Sequence, residues 1–343
     1  MRDAHANIAG IQLDIAKGWR PKLYLSTMAM AFFQAPGVHF AKDIFPICPV
    51  SLSSGQYYIF NKEELAKDQV QRKPAFGKVA PAVFSHTEAP YTCAVDQVIV
   101  GIDQIAALNY QRSRTPAAVD PKRNKTRMAS EQMNLHLDRL FAEAYFNDKA
   151  WENVLEGSDS PDGTSTFGYF DDADMDIIGL FDDLTRDILL GGLRKPNKLV
   201  LGYDAYVKMK KHPQFLERVT GSGSTPNPAL VNEQVISAVL GIPTVKVVYA
   251  AQNKARLGQK AEIQFVCDSK SALLCYAPDT PSVEEPSAGY IFTWDMLGNG
   301  QWIAADTFEG EPGTHSEFVE ALLSTDMKKT CDDLAVFLKG CVR

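Results

Sequence analysis

Residues 198–219 read KLVLGYDAYVKMKKHPQFLERV, and the order of residue types in this stretch decides how the chain is laid out. Lys198-Leu199-Val200-Leu201-Gly202 is a short apolar run closed by glycine, the pattern of a strand buried on both faces. Asp204 is placed to cap a helix that reaches His212, and Pro213, which has no N–H to donate, stops it. Downstream, Asn227 and Pro228 start a helical stretch through Leu240, Gly241 terminates it, and residues 244–250 form another strand. Upstream, Asp174 introduces a helix with Ile177, Ile178, Phe181, Leu184 and Ile188 on one face, closed by Gly191 and Gly192. Residues 171–255 therefore read as a mixed α/β unit. The Gly-, Ser-, Asp- and Pro-rich loop 156–166 ahead of it is the clearest internal boundary in the chain.

Further upstream, Ala129, Met133, Leu137, Leu140, Phe141, Ala144 and Tyr145 recur at steps of three and four, which predicts a long helix over 121–149. Asp120 and Pro121 supply its cap and first position, and at 1.5 Å per residue it would be about 40 Å long. Before it lie two strand-forming runs, 56–61 with Tyr57, Tyr58, Ile59 and Phe60, and 91–102 with Val95, Val98, Ile99, Val100 and Ile102. They flank an aperiodic insert, 62–90, that carries Lys62, Lys67, Arg72, Lys73 and Lys78 among prolines; a connection of that length usually has a function. Pro46 and Pro49 mark residues 44–50 as an extended or edge segment. The first forty residues, broken by Gly18, Pro21, Pro36 and Gly37, read as an arm unable to fold alone. Late in the chain, strands are expected at 263–267, 272–276, 290–294 and 302–304, with a turn at 297–300.

Composition narrows the function classes. With 343 residues, 45% hydrophobic and 22% charged, the chain is an ordinary folded protein rather than a disordered one. A net charge of −7 argues against a surface built to neutralise phosphates. It does not exclude a container, whose lining can stay mildly acidic around packed nucleic acid. The six cysteines form no CxxC pair and no secreted framework, so reduced thiols are expected. No stretch nears the roughly 18 apolar residues of a membrane span, and residues 1–18 lack the pattern of a signal peptide.

The chemistry-bearing residues do not gather into a motif. Asp172, Asp174 and Asp176 partly imitate a calcium loop, but Ile177 stands where the sharp-turn glycine belongs and no Glu closes it. Together with Asp171, Asp182 and Asp183 they read as an acidic helix start. Gly221, Ser222, Gly223 and Ser224 lack the Lys-Ser or Lys-Thr of a phosphate loop, the six histidines are never at ligand spacing, and there is no GxSxG elbow. No catalytic residue, cofactor or metal is expected.

Arm, two-stranded hairpin, long helix, mixed α/β lobe and closing strands, in that order, resemble the major capsid proteins of tailed bacteriophages, the Hong Kong 97-type family. The resemblance is carried by Phe45-Pro46-Ile47-Cys48-Pro49-Val50 leading to Tyr57-Tyr58-Ile59-Phe60, with its return at 91–102. Lys198-Leu199-Val200-Leu201-Gly202 with 206–218 and then 235–248 carries it further, as do Ala272-Leu273-Leu274-Cys275-Tyr276-Ala277-Pro278 and Gly289-Tyr290-Ile291-Phe292-Thr293-Trp294. It implies an α+β fold with an N-terminal arm (1–45), an extended hairpin loop (46–105) and a peripheral lobe with a spine helix (106–170). An axial lobe (171–255) and a closing β segment of the peripheral lobe with the C-terminal segment (256–343) follow. It further implies a non-enzymatic subunit that assembles with itself as hexamers and pentamers into an icosahedral shell around double-stranded DNA, in the virion after assembly in the host cytoplasm. The DNA would be contacted weakly and non-specifically. A portal and a separate scaffolding protein would be partners, a decoration protein stays open, and no membrane is involved. Candidate subunit contacts are Tyr57, Tyr58, Phe60, Arg72, Lys73, Phe76 and Lys78, although the aromatics fit cross-strand packing within the hairpin equally well. The alternatives are an encapsulin-like compartment shell and, from a different class, a soluble α/β hydrolase.

Overall fold

Two sheets divide the work of burying the apolar residues. A computed structural model describes residues 38–60, 66–73, 75–79, 81–82, 86–105, 108, 121–220, 231–256, 258–282, 285–296, 298 and 303–343. The arm before residue 38, Lys62, Gly221 to Ser224, and Asn227 with Pro228 lie outside them.

In chain order the strands are β1 (Ile47–Val50), β2 (Ser54–Phe60), β3 (His86–Thr92), β4 (Ala94–Asp103), β5 (Val154–Gly157), β6 (Thr166–Phe167), β7 (Lys198–Leu201) and β8 (Thr244–Val247). There follow β9 (Ala251–Asn253), β10 (Ile263–Phe265), β11 (Ala272–Cys275), β12 (Gly289–Trp294), β13 (Ile303–Glu309), β14 (Ser316–Lys329) and β15 (Ala335–Lys339). The helices are α1 (Ala41–Ile44), a single turn, α2 (Pro121–Ala144), α3 (Ile177–Gly192), α4 (Tyr203–Lys211), α5 (Pro213–Thr220) and α6 (Glu233–Leu240).

The KLVL of β7 is buried at every position because the strand is central in a six-stranded sheet of order β6-β5-β15-β11-β7-β8. β8 pairs with it in parallel and the equally buried β11 antiparallel. Helix α3 covers this sheet with Ile177, Ile178, Phe181, Leu184 and Ile188, the five residues its periodicity selects. Three details differ from the sequence reading. The α3 cap is Asp176, whose carboxylate accepts the Gly179 N–H, while Asp174 sits in the preceding turn. Gly191 and Gly192 lie inside the last turn, where a Cβ on Gly192 would run into the Leu334 side chain, and the left-handed cap is Leu193 at φ 58°. Asp204 lies in the first turn of α4 and binds the Ser269 hydroxyl, the cap position itself being Gly202. Gly241 ends α6 in the left-handed conformation, as expected, and Asn232 caps its start.

The second sheet is five-stranded: β1-β12-β14-β13, with β4 also on β14. β1, with Pro49, is an edge strand, as its prolines require. Helix α2 lies on β4 and β14 and buries Ala129, Met133, Leu137 and Phe141 along one row. Its 24 residues span about 36 Å, ending short of Lys149. The terminal carbonyls are taken by other donors: Asn147 Nδ2 bonds Glu143 O (2.8 Å) and Trp151 Nε1 bonds Tyr145 O (2.7 Å). The strand run read over 91–102 is in fact two strands broken at Cys93. β3 returns along β2, whereas β4 runs antiparallel to β14 in the five-stranded sheet. The stretch 156–166, read as a boundary, holds the end of β5, a loop over 158–165 and the start of β6, neighbouring strands of one sheet, and the Asp162 carboxylate closes the loop by accepting the Thr164, Ser165 and Thr166 N–H groups. The closing segment 256–343 serves both sheets, with β11 and β15 in one and β12 to β14 in the other.

Candidate subunit-contact surface

The β2–β3 hairpin lies in sequence between β1 and β4 of the five-stranded sheet, and its register pairs Ser54 with Thr92 and Phe60 with His86. Neighbouring residues of a strand face opposite ways, so Tyr57 and Tyr58 have different fates. The Tyr57 ring lies 5.2 Å from that of Phe292, and its hydroxyl donates to Lys329 O at 3.3 Å. Tyr91 stacks on the same Phe292 ring, the centroids 4.9 Å apart at an interplanar angle of 12°. Gly55 sits opposite Tyr91, and a Cβ there would fall 2.6 Å from the Tyr91 hydroxyl, so only glycine lets the ring cross. With Cys93, these residues make a small satellite core that roots the hairpin in β12. Burial pushes the Cys93 thiol up to about 11 and raises the Tyr57 phenol, to which the Asp326 carboxylate adds. Thr92 N–H donates to Asp326 Oδ2 at 2.7 Å and Cys93 N–H to Ser53 O at 2.7 Å, which completes the root.

Beyond the root, none of the described hairpin residues joins a buried apolar cluster. Tyr58 is exposed, as are Arg72, Lys73 and Lys78 in the connection; the Phe60 side chain lies outside the described residues. Val70 is 89% exposed, and Phe76 is fully exposed with a left-handed backbone, φ 61°. The sequence-selected residues are thus separated: Tyr57 belongs to the chain's own packing, and the other described ones project. Sequence reading missed the root, Tyr91, Cys93 and Phe292. Its signal was the conjunction of Gly55 with an aromatic on the return strand.

A second junction was also missed. Asp138 is buried on α2, in a polar row with Thr126, Ser130 and Asn134 at four-residue spacing beside the apolar one. Its carboxylate accepts the Phe40 N–H (3.1 Å), the Ala41 N–H (3.0 Å) and His39 Nδ1 (2.7 Å) at the start of α1. At the other end of α1, buried Lys198 donates Nζ to Ile44 O (2.8 Å) and Asp43 O (3.2 Å). An anion at the N-terminus and a cation at the C-terminus match the peptide dipoles of this turn, so α1 is clamped between the long helix and the six-stranded sheet.

The acidic run is not one helix start: Asp171, Asp172 and Asp174 lie ahead of α3, Asp176 caps it and also accepts Gln214 Nε2 at 2.8 Å, and Asp182 and Asp183 lie inside the helix, whose first turn carries no acid. Among the described residues no three His, Cys, Asp or Glu side chains are grouped to hold a metal, and no helix is long and apolar enough to cross a membrane.

No protein-family model and no curated protein matches the sequence. Solved structures do match along nearly its whole length. A phage-related protein from Bordetella bronchiseptica RB50 is similar at a TM-score of 0.71 and 17% identity, over 94% of this chain and 97% of that one. A virus-like particle from Pyrococcus furiosus follows at 0.53 and 10%, over 92% and 98%. The capsid of the cyanophage P-SCSP1u matches at 0.51 and 11%, over 89% of each chain. The chain has the α+β fold of phage capsid and virus-like particle subunits.

Proposed function

We propose that this chain is a structural shell subunit that closes with copies of itself into an icosahedral container. The observation that carries the reading is the hairpin: a rooted two-stranded arm whose outer described residues, Val70 and Phe76 above all, are left exposed. Exposed apolar groups on an extended element are stabilised when a neighbour covers them. On this reading Tyr58, Phe60, Arg72, Lys73, Phe76 and Lys78 meet the neighbouring subunit, while Tyr57 fixes the angle at which the hairpin leaves. The segments 106–170 and 171–255 act as peripheral and axial lobes of each subunit.

The finer reading is the major capsid protein of a tailed phage, arranged as hexamers and pentamers around double-stranded DNA in the virion, with a portal and a separate scaffold as partners. Similarity to a cyanophage capsid supports it, and a net charge of −7 suits weak, non-specific contact with the packaged polymer. The likeness to a virus-like particle supports a second reading, an encapsulin-like compartment shell. Size-exclusion chromatography of the purified chain, followed by negative-stain microscopy of the earliest fraction, tests the proposal. Closed shells or flat rings of five and six are expected, and nuclease-protected DNA inside them separates the phage reading from the compartment. A compact monomer under every condition, with or without a scaffold, overturns the shell reading.

A further inference from the structure

β7 and β8 run parallel and end together, with Leu201 beside Val247. Helix α4 starts at Tyr203, straight after β7, and α6 packs on β8 and brings its own first residue, Glu233, back to the same end. The Tyr249 hydroxyl, just past β8, donates to Glu233 Oε1 at 3.0 Å and closes this corner. In open α/β sheets the crevice outside the carboxyl ends of parallel strands is where ligands bind.

Aromatic rings line the corner. Tyr203 stacks on Phe265, the ring centroids 5.4 Å apart at 26°, and meets Tyr249 edge-on at 6.0 Å and 64°. Tyr206 lies three residues along α4 on the side of Tyr203. The Tyr203 ring is 38% exposed, while Tyr206, Tyr249, Phe265 and Glu233 are half-buried. Burial and then the Glu233 carboxylate push the Tyr206 and Tyr249 hydroxyls above the ordinary phenol range, so the negative charge is felt by both rings. Mutual packing accounts for the rings being together, but not for a carboxylate set among them. Among the described residues no cation reaches Glu233 at ion-pair distance, and Tyr249 is the donor its carboxylate meets. The first turn of α6 tempers that charge without pairing it.

We propose that this corner binds an organic cation, a guanidinium or alkylammonium group seated on the open face of Tyr203 and answered by Glu233. Ring faces and a half-buried carboxylate attract a cation that sheds its water easily. A metal ion needs several oxygen ligands, and among the described residues no three metal-ligating side chains are grouped. The inference does not depend on the shell reading.

The purified chain is titrated with ethylguanidinium chloride and, separately, with tetramethylammonium chloride, sodium chloride holding the ionic strength constant, and line broadening of the cation is followed by NMR. Saturable binding is expected, weakened about tenfold by Glu233→Gln and by Tyr203→Leu and changed less than about twofold by Tyr203→Phe, because the ring face and not the hydroxyl holds the cation. Thermal midpoints identify a variant that has lost its fold, and the comparison of Y203F with Y203L then stands in for E233Q. A wild-type chain without saturable binding, or folded E233Q or Y203L that binds as the wild type does, overturns the inference. Repeating the titration on assembled particles separates the sources of the cation. Binding kept after assembly identifies a free small molecule as the ligand, and binding lost on assembly and regained on dissociation identifies a lysine or arginine of a second copy.

Discussion

The six-stranded sheet and the β2–β3 hairpin draw on similar residues and treat them in opposite ways. Leu199, Val200 and Leu201 of β7 and Leu273 and Leu274 of β11 are fully enclosed by neighbouring strands and helices of the same chain. Tyr58, Val70 and Phe76 are exposed on an element whose buried cluster, among the described residues, lies at its root. Apolar content alone therefore does not distinguish a region enclosed by its own chain from one that the chain leaves exposed. The presence or absence of a second layer does.

The comparison breaks most visibly where the core is emptied. Phe337→Ala removes a buried ring from β15, and a loss of about 3–5 kcal/mol in denaturant-derived stability is expected. An effect below 1 kcal/mol would mean the six-stranded sheet is not the closed layer described. Asp138→Ala acts at the joint rather than in either region and leaves the Phe40 and Ala41 N–H groups without their acceptor. About 2–3 kcal/mol is expected, together with faster proteolysis before residue 45. Asp176→Ala should lower stability by about 1 kcal/mol through loss of the α3 cap, read from the thermal unfolding midpoint. Phe76→Ser should change the stability of the separate chain by no more than about 0.5 kcal/mol, yet abolish assembled particles in the void fraction. A large destabilisation there would show that the tip packs on its own chain.

Much of this contrast was legible in the sequence. The helix faces of α2 and α3, the buried run of β7 and the proline-marked edge strand follow from period and backbone chemistry, and each was found at the expected place. The boundary between β3 and β4 was not, because residues 91–102 are strand-forming throughout and the break at Cys93 is imposed by the Ser53 carbonyl and the satellite core, both distant in sequence. β14 escaped for a related reason. Its SEFVEALLSTDMKK carries apolar and charged residues at both parities, since one face meets α2 and the other holds Phe318 beside Glu320. Among the candidate contacts, the alternation of Tyr57 and Tyr58 was readable, but which of them faced Phe292 depended on β12, more than two hundred residues away. The Asp138 and Lys198 clamp was hidden because a polar residue on a helix or strand gives no hint of a buried partner until the fold brings one.

The left-handed backbones at Phe76 and Leu193 carry a consequence for anyone improving this protein. Both are apolar, exposed residues in a conformation that glycine adopts without strain. A variant library screened only for heat resistance of the single subunit would therefore drift toward glycine at these two positions. On the proposed shell reading, the change at Phe76 would yield a better part that builds a poorer container.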